Sequence, residues 1–284
     1  MASFLEYLVI LILRGDLKKL IVIISVFFVI IATSLYICQL PPIITRIDVP
    51  IEFLSESLTG FSIVQLSDLH LESRKSKEWL KRIINATNEL NPDLIVITGD
   101  ILNRDRYAPD KFSGILKQLK SKNGIYAVTG NHDHCAGISN LLEFCGNSNI
   151  KVLRNEHILI NNQIELIGID YQRRENNSHS RSNLEEALID CDLTKPSVLL
   201  SHAPNHFRKA VDSGIDLQLS GHTHASQVPP IDLIYFLLYR YSYGLYRYKS
   251  SSIYTTCGIG TWGPPIRLSS RPEVVLIKLV AKEK

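Results

Sequence analysis

The chain opens with apolar positions that recur without periodic interruption. From Leu20 to Cys38, LIVIISVFFVIIATSLYIC, 19 residues pass without a charge. About 20 such residues span the hydrocarbon core of a bilayer as a helix, so the pattern predicts a transmembrane segment. Arg14, Lys18 and Lys19 precede it, and only Arg46 is basic between Gln39 and Ser57. By the positive-inside rule the N-terminus is then cytoplasmic and the rest of the chain lies across the membrane. A cleaved signal peptide competes, because Ala32-Thr33-Ser34 is a small-x-small triplet, but Leu35, Tyr36 and Ile37 carry the apolar run past it. The shorter run Phe4 to Leu13 contains Glu6 and reads as an interfacial helix.

Beyond Pro41-Pro42 the pattern changes to short β-branched runs alternating with amphipathic stretches, the signature of an α/β domain. Strands are expected at 61–67, 93–98, 124–129, 164–169, 197–201, 216–220, 251–256 and 273–279, several apolar on both faces and therefore buried within a sheet. Leu80, Ile83, Ile84 and Thr87 share one helical face, as do Phe112, Ile115, Leu116 and Leu119. These patterns divide the chain into a membrane anchor (1–40), a linker (41–57) and a globular domain (58–284). The stretch 173–183 is a polar loop in which His179 is expected to be solvated.

Composition narrows the class. With 284 residues, 45% hydrophobic and 21% charged, the chain can bury a core and is not disordered. Its net charge of +3 is spread along the sequence and predicts no nucleic-acid partner. Five cysteines without CxxC spacing fit neither a disulfide framework nor a cysteine-rich zinc site, and are expected to be mostly buried thiols.

The candidate chemistry sits where the predicted strands end. Strand 61–67 leads into Asp68 and His70, strand 93–98 into Asp100, and strand 124–129 into Asn131, His132, Asp133 and His134. Strand 197–201 leads into His202, and strand 216–220 into His222 and His224 of LSGHTH. In open α/β sheets the C-terminal strand ends face a shared crevice, so these residues converge. Carboxylate, imidazole and amide oxygen, without thiolate, suit Mn, Fe, Zn or Mg. Seven candidates exceed one tetrahedral site and suit two ions about 3.5–4 Å apart, with Asp100 as the natural bridging carboxylate. His134 and His206 are expected to lie beside the ligands or on the surface.

The ordered blocks DLH, GD, GNHD, H and GHTH resemble the calcineurin-like metallophosphoesterases, and GHTHASQ, YGLYRY and GIGTWGPPIRLSSRPEVVLIKL are similar to their membrane-anchored bacterial branch. The resemblance covers about residues 58–280. It implies a four-layer α/β/β/α sandwich behind the N-terminal transmembrane helix. It also implies that Asp68, His70, Asp100 and His224 hold one divalent ion, and Asp100, Asn131, His202 and His222 the other. His132 would contact the phosphate and protonate the leaving oxygen, with Asp133 orienting its ring. Where that branch has two glycines after GHTH, this chain has Ala225 and Ser226, whose β-carbons are expected to tighten the loop beside the metals.

The implied activity is hydrolysis of a phosphodiester or pyrophosphate bond, on a membrane lipid or nucleotide-lipid such as UDP-2,3-diacylglucosamine of lipid A synthesis. Two other readings stay open: a tethered phosphodiesterase of soluble phosphoesters, and a metal-dependent scaffold without turnover. The segment PPIDLIYFLLYRYSYGLYRYK (229–249), apolar and then basic and tyrosine-rich, reads either as a membrane-interface element or as a buried cap. In the first case Arg240, Arg247 and Lys249 would pair with phosphates.

Overall fold

The computed structural model describes residues 17–103, 110–172, 183–225, 227, 236–268 and 270–282. The Phe4–Leu13 segment, His179 and Ser226 lie outside them. Helix α1 (Leu17–Gln39) is uncharged through its centre, and of its described side chains only Ser34 is buried. It is long and apolar enough to cross a membrane.

The elements after it are β1 (Ile43–Ile51), β2 (Ser62–Leu66), α2 (Lys77–Asn88), β3 (Leu94–Thr98), α3 (Ser113–Leu116), β4 (Ile125–Val128), α4 (Asn131–Ala136), α5 (Ile138–Gly146) and β5 (Lys151–Val152). There follow β6 (Glu156–Ile160), β7 (Ile164–Gly168), α6 (Asn183–Ala187), β8 (Ser197–Leu200), α7 (Phe207–Asp212), β9 (Leu217–Ser220), β10 (Gly244–Tyr248), β11 (Ser251–Thr255) and β12 (Glu273–Ala281). All eight expected strands are present.

Among the described residues two six-stranded sheets form, ordered β1-β12-β2-β3-β4-β5 and β10-β11-β9-β8-β7-β6. The period-2 alternation of each central strand explains how they stack. On β3, Leu94 and Val96 join an apolar layer shared with Val198 and Leu200 of β8, while Ile95 and Ile97 join a second layer with Leu80, Ile83 and Ile84 of α2. On β8, Leu199 faces a third layer with Leu184 of α6 and Ala210 of α7. The sheets therefore pack face to face with helices outside, as the four-layer expectation required. Each fully buried Leu, Ile or Val contributes about 1.5–3 kcal/mol, which makes the inter-sheet layer the main stabilising core.

Three expectations need correction. Residues 43–51 are not a linker: β1 pairs in parallel with β12 along its whole length, Ile43 opposite Glu273 through Ile51 opposite Ala281. As an edge strand it tolerates Pro50, which interrupts a strand reading of the sequence. The second correction concerns 229–249, whose last part is β10, an edge strand antiparallel to β11. There Arg247 donates to the Asp48 carbonyl at 3.4 Å and the exposed Lys249 lies 3.6 Å from Asp212. Third, of the five free cysteines only Cys145 and Cys257 are buried; Cys38 and Cys191 are half-buried and Cys135 is exposed.

Candidate metal centre

The parallel strands β2, β3 and β4 deliver their C-terminal residues to one edge, and the loops beyond them continue to pair. The amides of Asp68, His70 and Leu71 donate to Gly99 O, Asp100 O and Ile101 O at 3.1, 2.9 and 2.8 Å, and Leu71 bridges Leu102. These bonds hold the backbone in an unusual state. Asp68, His70, Asp100, His222 and His224 all have positive φ, between 44° and 71°. Left-handed non-glycine residues cost on the order of 1–3 kcal/mol each and persist only where the surroundings impose them, so five such residues in one pocket mark a constructed site. The glycines of GN and GH serve the same crowding. A β-carbon on Gly130 would lie 2.1 Å from Asp100 Oδ1, and one on Gly221 would lie 2.3 Å from Asp68 Oδ2.

All seven candidate ligands meet in two adjoining clusters. In one, Nε2 of His70 and Nε2 of His224 are 2.9 Å apart, and His224 Nε2 is 3.2 Å from Asp68 Oδ1. In the other, His202 Nε2 is 3.1 Å from Asn131 Oδ1, 3.1 Å from His222 Nδ1 and 3.3 Å from Asp100 Oδ2. Asp100 Oδ2 is also 3.8 Å from His70 Nε2, which places its carboxylate between the clusters.

The proton inventory tests whether a cation fits. His202 Nδ1 is 2.8 Å from Thr98 O, an acceptor only, so Nδ1 carries the proton and Nε2 of the neutral ring a lone pair. That lone pair faces an amide oxygen, a carboxylate oxygen and His222 Nδ1, and four acceptors around one point are satisfied by a cation. Burial lowers His222 to about 3 and holds His70 well below its ordinary value, which keeps both imidazoles neutral. Burial opposes ionisation of Asp68 and Asp100 too, but the adjacent His224 and His202 respectively hold the two carboxyls well below the usual range. For His202 burial again opposes charge, yet Asp100 outweighs it and raises the ring to about 9. A proton there does what a bound cation would do, neutralising Asp100. The donor set therefore fits two divalent ions.

His132 stands beside the clusters, its ring edge-on to His70 with centroids 4.6 Å apart and its amide donating to Asp100 Oδ1 at 2.8 Å. The expectation that Asp133 orients this ring is not met. The Asp133 carboxylate accepts the amides of Leu102 and Gly130, each at 2.8 Å, and so braces the loops instead. The ring partner is Asn103, whose Oδ1 lies 2.9 Å from His132 Nδ1 while its Nδ2 donates to Glu72 Oε2 at 2.8 Å. Sequence reading missed Asn103 and Glu72, and also Tyr171, which packs against His202 and His222 at 5.7 and 5.9 Å, and Tyr239. No spacing singles them out. His134, as expected, lies beside the centre, 3.2 Å from Asp170. Ala225 is buried in the turn after His224.

Residues 61–226, from β2 to the end of the GHTH block, match the sequence profile of the calcineurin-like phosphoesterases. The chain belongs to the calcineurin-like phosphoesterase family. That family uses two divalent metals, in agreement with the donor inventory. Among its relatives is the Danio rerio "Transmembrane protein with metallophosphoesterase domain", 36% identical over 251 residues, covering 84% of this chain and 57% of that one. An "Uncharacterized metallophosphoesterase" of Helicobacter pylori strain J99 is 34% identical over 223 residues, covering 78% of this chain and 60% of that one. The chain thus spans less than two thirds of the length of these relatives. The solved TT1561 structure of Thermus thermophilus superimposes with a TM-score of 0.49 at 12% identity, over 71% of this chain and 92% of that one.

Proposed function

We propose that this calcineurin-like phosphoesterase hydrolyses a phosphodiester or pyrophosphate bond of a lipid-linked substrate, such as a nucleotide-lipid, at a membrane surface. The observation that carries the hydrolase reading is the convergence of Asp68, His70, Asp100, Asn131, His202, His222 and His224 into two clusters that share Asp100. In this reading Asp68, His70, Asp100 and His224 hold one ion and Asp100, Asn131, His202 and His222 the other. When bound, the ions supply Lewis-acid polarisation of the phosphoryl oxygens and neutralise charge. The chain's own residues supply the rest. Because Asn103 Nδ2 donates to Glu72, its amide oxygen faces His132, so the Nδ1 proton of His132 is committed to Asn103. Nε2 is then the position at which His132 holds or yields a proton to the departing oxygen.

Two features support a lipid-linked substrate. A cavity of about 820 Å³ opens between Leu35 and Cys38 of α1 and the domain, and Lys75, Arg82 and Arg267 line it. Its wall includes Glu72, the partner of Asn103, so it adjoins the His132 side of the centre. Burial lowers Lys75 to about 8 against the opposing charge of Glu72, with the Arg267 charge adding to the shift. The second feature is the apolar run Phe236, Leu237 and Leu238, exposed by 46, 81 and 71%, immediately before Tyr239, which contacts His222. The "transmembrane" name of the Danio rerio relative agrees with α1 as a single-pass anchor. Arg14, Lys18 and Lys19, on the N-terminal side of the apolar run, favour placing the catalytic domain on the non-cytoplasmic side.

Parallel assays on detergent-solubilised protein, with added Mn²⁺, Zn²⁺ or Mg²⁺, would compare a nucleotide-diphosphate lipid with a small soluble phosphodiester. The expected outcome is metal-dependent turnover of both, faster on the lipid. Equal or better use of the soluble ester would favour a tethered soluble-substrate enzyme, and no turnover under any metal would favour a scaffold.

A further inference from the structure

A second group of side chains of the metal-ligating types lies in the outer layer of the other sheet and shares no residue with the candidate centre. His157 sits on the edge strand β6, Glu165 on the neighbouring β7, and Cys191 in the turn that follows α6. One donor atom from each lies within 4.8 Å of the others. Glu165 is only 3% exposed, on the same face of β7 as Ile167 and Ile169, beneath the apolar layer formed with α6 and α7.

This carboxylate is poorly served by the protein alone. Its Oε1 accepts the Asp192 amide at 3.3 Å, Oε2 is buried without an N–H or O–H donor, and the Cys191 thiol is a weak donor to the carboxylate. The nearby Lys195 pairs with Asp192 instead. Burying a carboxylate oxygen without a donor or counter-charge is costly, and such sites persist where a cation completes them. His157 is prepared in the way metal ligands are. Its Nδ1 lies 3.0 Å from the Ala187 carbonyl, an acceptor only, so Nδ1 carries the proton and the other ring nitrogen keeps its lone pair.

We propose that His157, Glu165 and Cys191 form a separate site for a divalent ion of the zinc class. One imidazole, one carboxylate and one thiolate are the borderline-soft donor set that zinc favours, and two negative ligands balance its charge. Donors around tetrahedral zinc stand about 3.3–3.8 Å apart, inside the 4.8 Å that bounds the three, and the half-buried Cys191, in a turn, can adjust to that spacing. The fourth position is left to water or an exogenous ligand. A bound ion adds a link between the paired strands β6 and β7 and the turn after α6, beside the His157–Ala187 and Glu165–Asp192 bonds.

Cobalt substitution tests this independently of catalysis, because none of the donors in the candidate centre is a thiolate. Full-length protein stripped with chelator and reloaded with Co²⁺ should show a thiolate-to-cobalt charge-transfer band in the near ultraviolet. Cys191→Ser should abolish the band, His157→Gln should shift or weaken it, and zinc loading should fall by one ion per chain in both variants. Phosphodiesterase activity should stay within about twofold of the wild type. Absence of the band in wild-type protein, or its survival in Cys191→Ser, would overturn the proposal. A wild type with no activity that still shows the band would count against the proposed function and leave this site standing.

Discussion

The Tyr239 hydroxyl lies 3.0 Å from Nε2 of His222, whose Nδ1 faces His202 across 3.1 Å. One imidazole therefore joins the candidate metal centre to the chain that carries the exposed Phe236–Leu238 tip. With Nδ1 committed to an ion, Nε2 keeps its proton and donates it to Tyr239, which fixes the ring plane.

Tyr239→Phe should weaken one of the two bound ions by about 10- to 100-fold, the usual effect of removing the group that orients a metal-bound histidine. Chelator competition followed by elemental analysis measures it, with thermal melting expected to be unchanged. Wild-type retention of both ions would mean that Tyr239 packs against His222 without orienting it.

Asp100 is placed to serve both clusters, with Oδ2 at 3.3 Å from His202 Nε2 and 3.8 Å from His70 Nε2, while Oδ1 accepts the His132 amide at 2.8 Å. Asp100→Asn preserves shape and removes the charge. It should lower the content of both ions and reduce turnover by roughly 1,000-fold or more, as expected when such a bridge is lost. A variant that keeps two tightly bound ions and near-normal turnover would remove Asp100 from the bridging role.

The chain Glu72–Asn103–His132 makes a separable claim about proton transfer. Asn103→Leu should leave metal content intact and lower kcat by about 10- to 1,000-fold, within the range of a misplaced general acid. His132→Ala should lower it by about 100- to 10,000-fold. In both variants the loss should be smaller for a nitrophenyl ester, whose leaving group departs without a proton. Equal losses on activated and unactivated esters would assign His132 to phosphate positioning.

What could be read from the sequence follows from burial. β2, β3, β8 and β9 are buried on both sides and appear as short, mostly apolar runs, each ending in a ligand block. The strands β1, β6 and β10 were not legible because each lies at a sheet edge and leaves much of its length partly or fully exposed. The ligands were legible because metal chemistry restricts residue type at fixed strand ends. Asn103 was not, since its role depends on Leu71–Leu102 pairing between loops that are distant in sequence. Asp133 was misread for a related reason: a carboxylate next to a histidine in sequence satisfies backbone amides on the far side of the turn.

Asp170 supplies a stability prediction that needs no metal. Burial opposes its ionisation, but hydrogen bonds from His134, Arg154 and Thr129 outweigh that and hold its pKa well below the usual carboxylate range. A group depressed on folding contributes stability above its unfolded pKa of about 4 and loses it as pH falls towards the folded value. Asp170→Asn should therefore destabilise the domain at pH 7 by about 1–2 kcal/mol, with the deficit shrinking below pH 4. Urea titrations at pH 7 and at pH 3 measure this. A deficit independent of pH would assign the effect to packing.

The exposed tip decides whether the substrate is reached at a membrane. Phe236, Leu237 and Leu238 form the short helical turn before Tyr239, and Leu237 and Leu238 are exposed by 81 and 71%. Exposure at that level contradicts a buried cap for these three residues, and it leaves an apolar cluster where a soluble surface gains nothing from one. Insertion into the headgroup region would bury it, while Tyr239 holds the same segment against His222. Replacing all three residues with serine should leave the melting temperature and the hydrolysis of a small soluble phosphodiester unchanged. Vesicle binding by the domain beginning at Ile43, the first residue of β1, and hydrolysis of a lipid-linked pyrophosphate should both fall at least tenfold, since each apolar side chain withdrawn from water contributes about 1.5–3 kcal/mol. If all activity is lost together with the melting transition, the tip is part of the fold. If neither vesicle binding nor lipid turnover changes, the membrane is met elsewhere, and the cavity beside α1 is then the surface to vary.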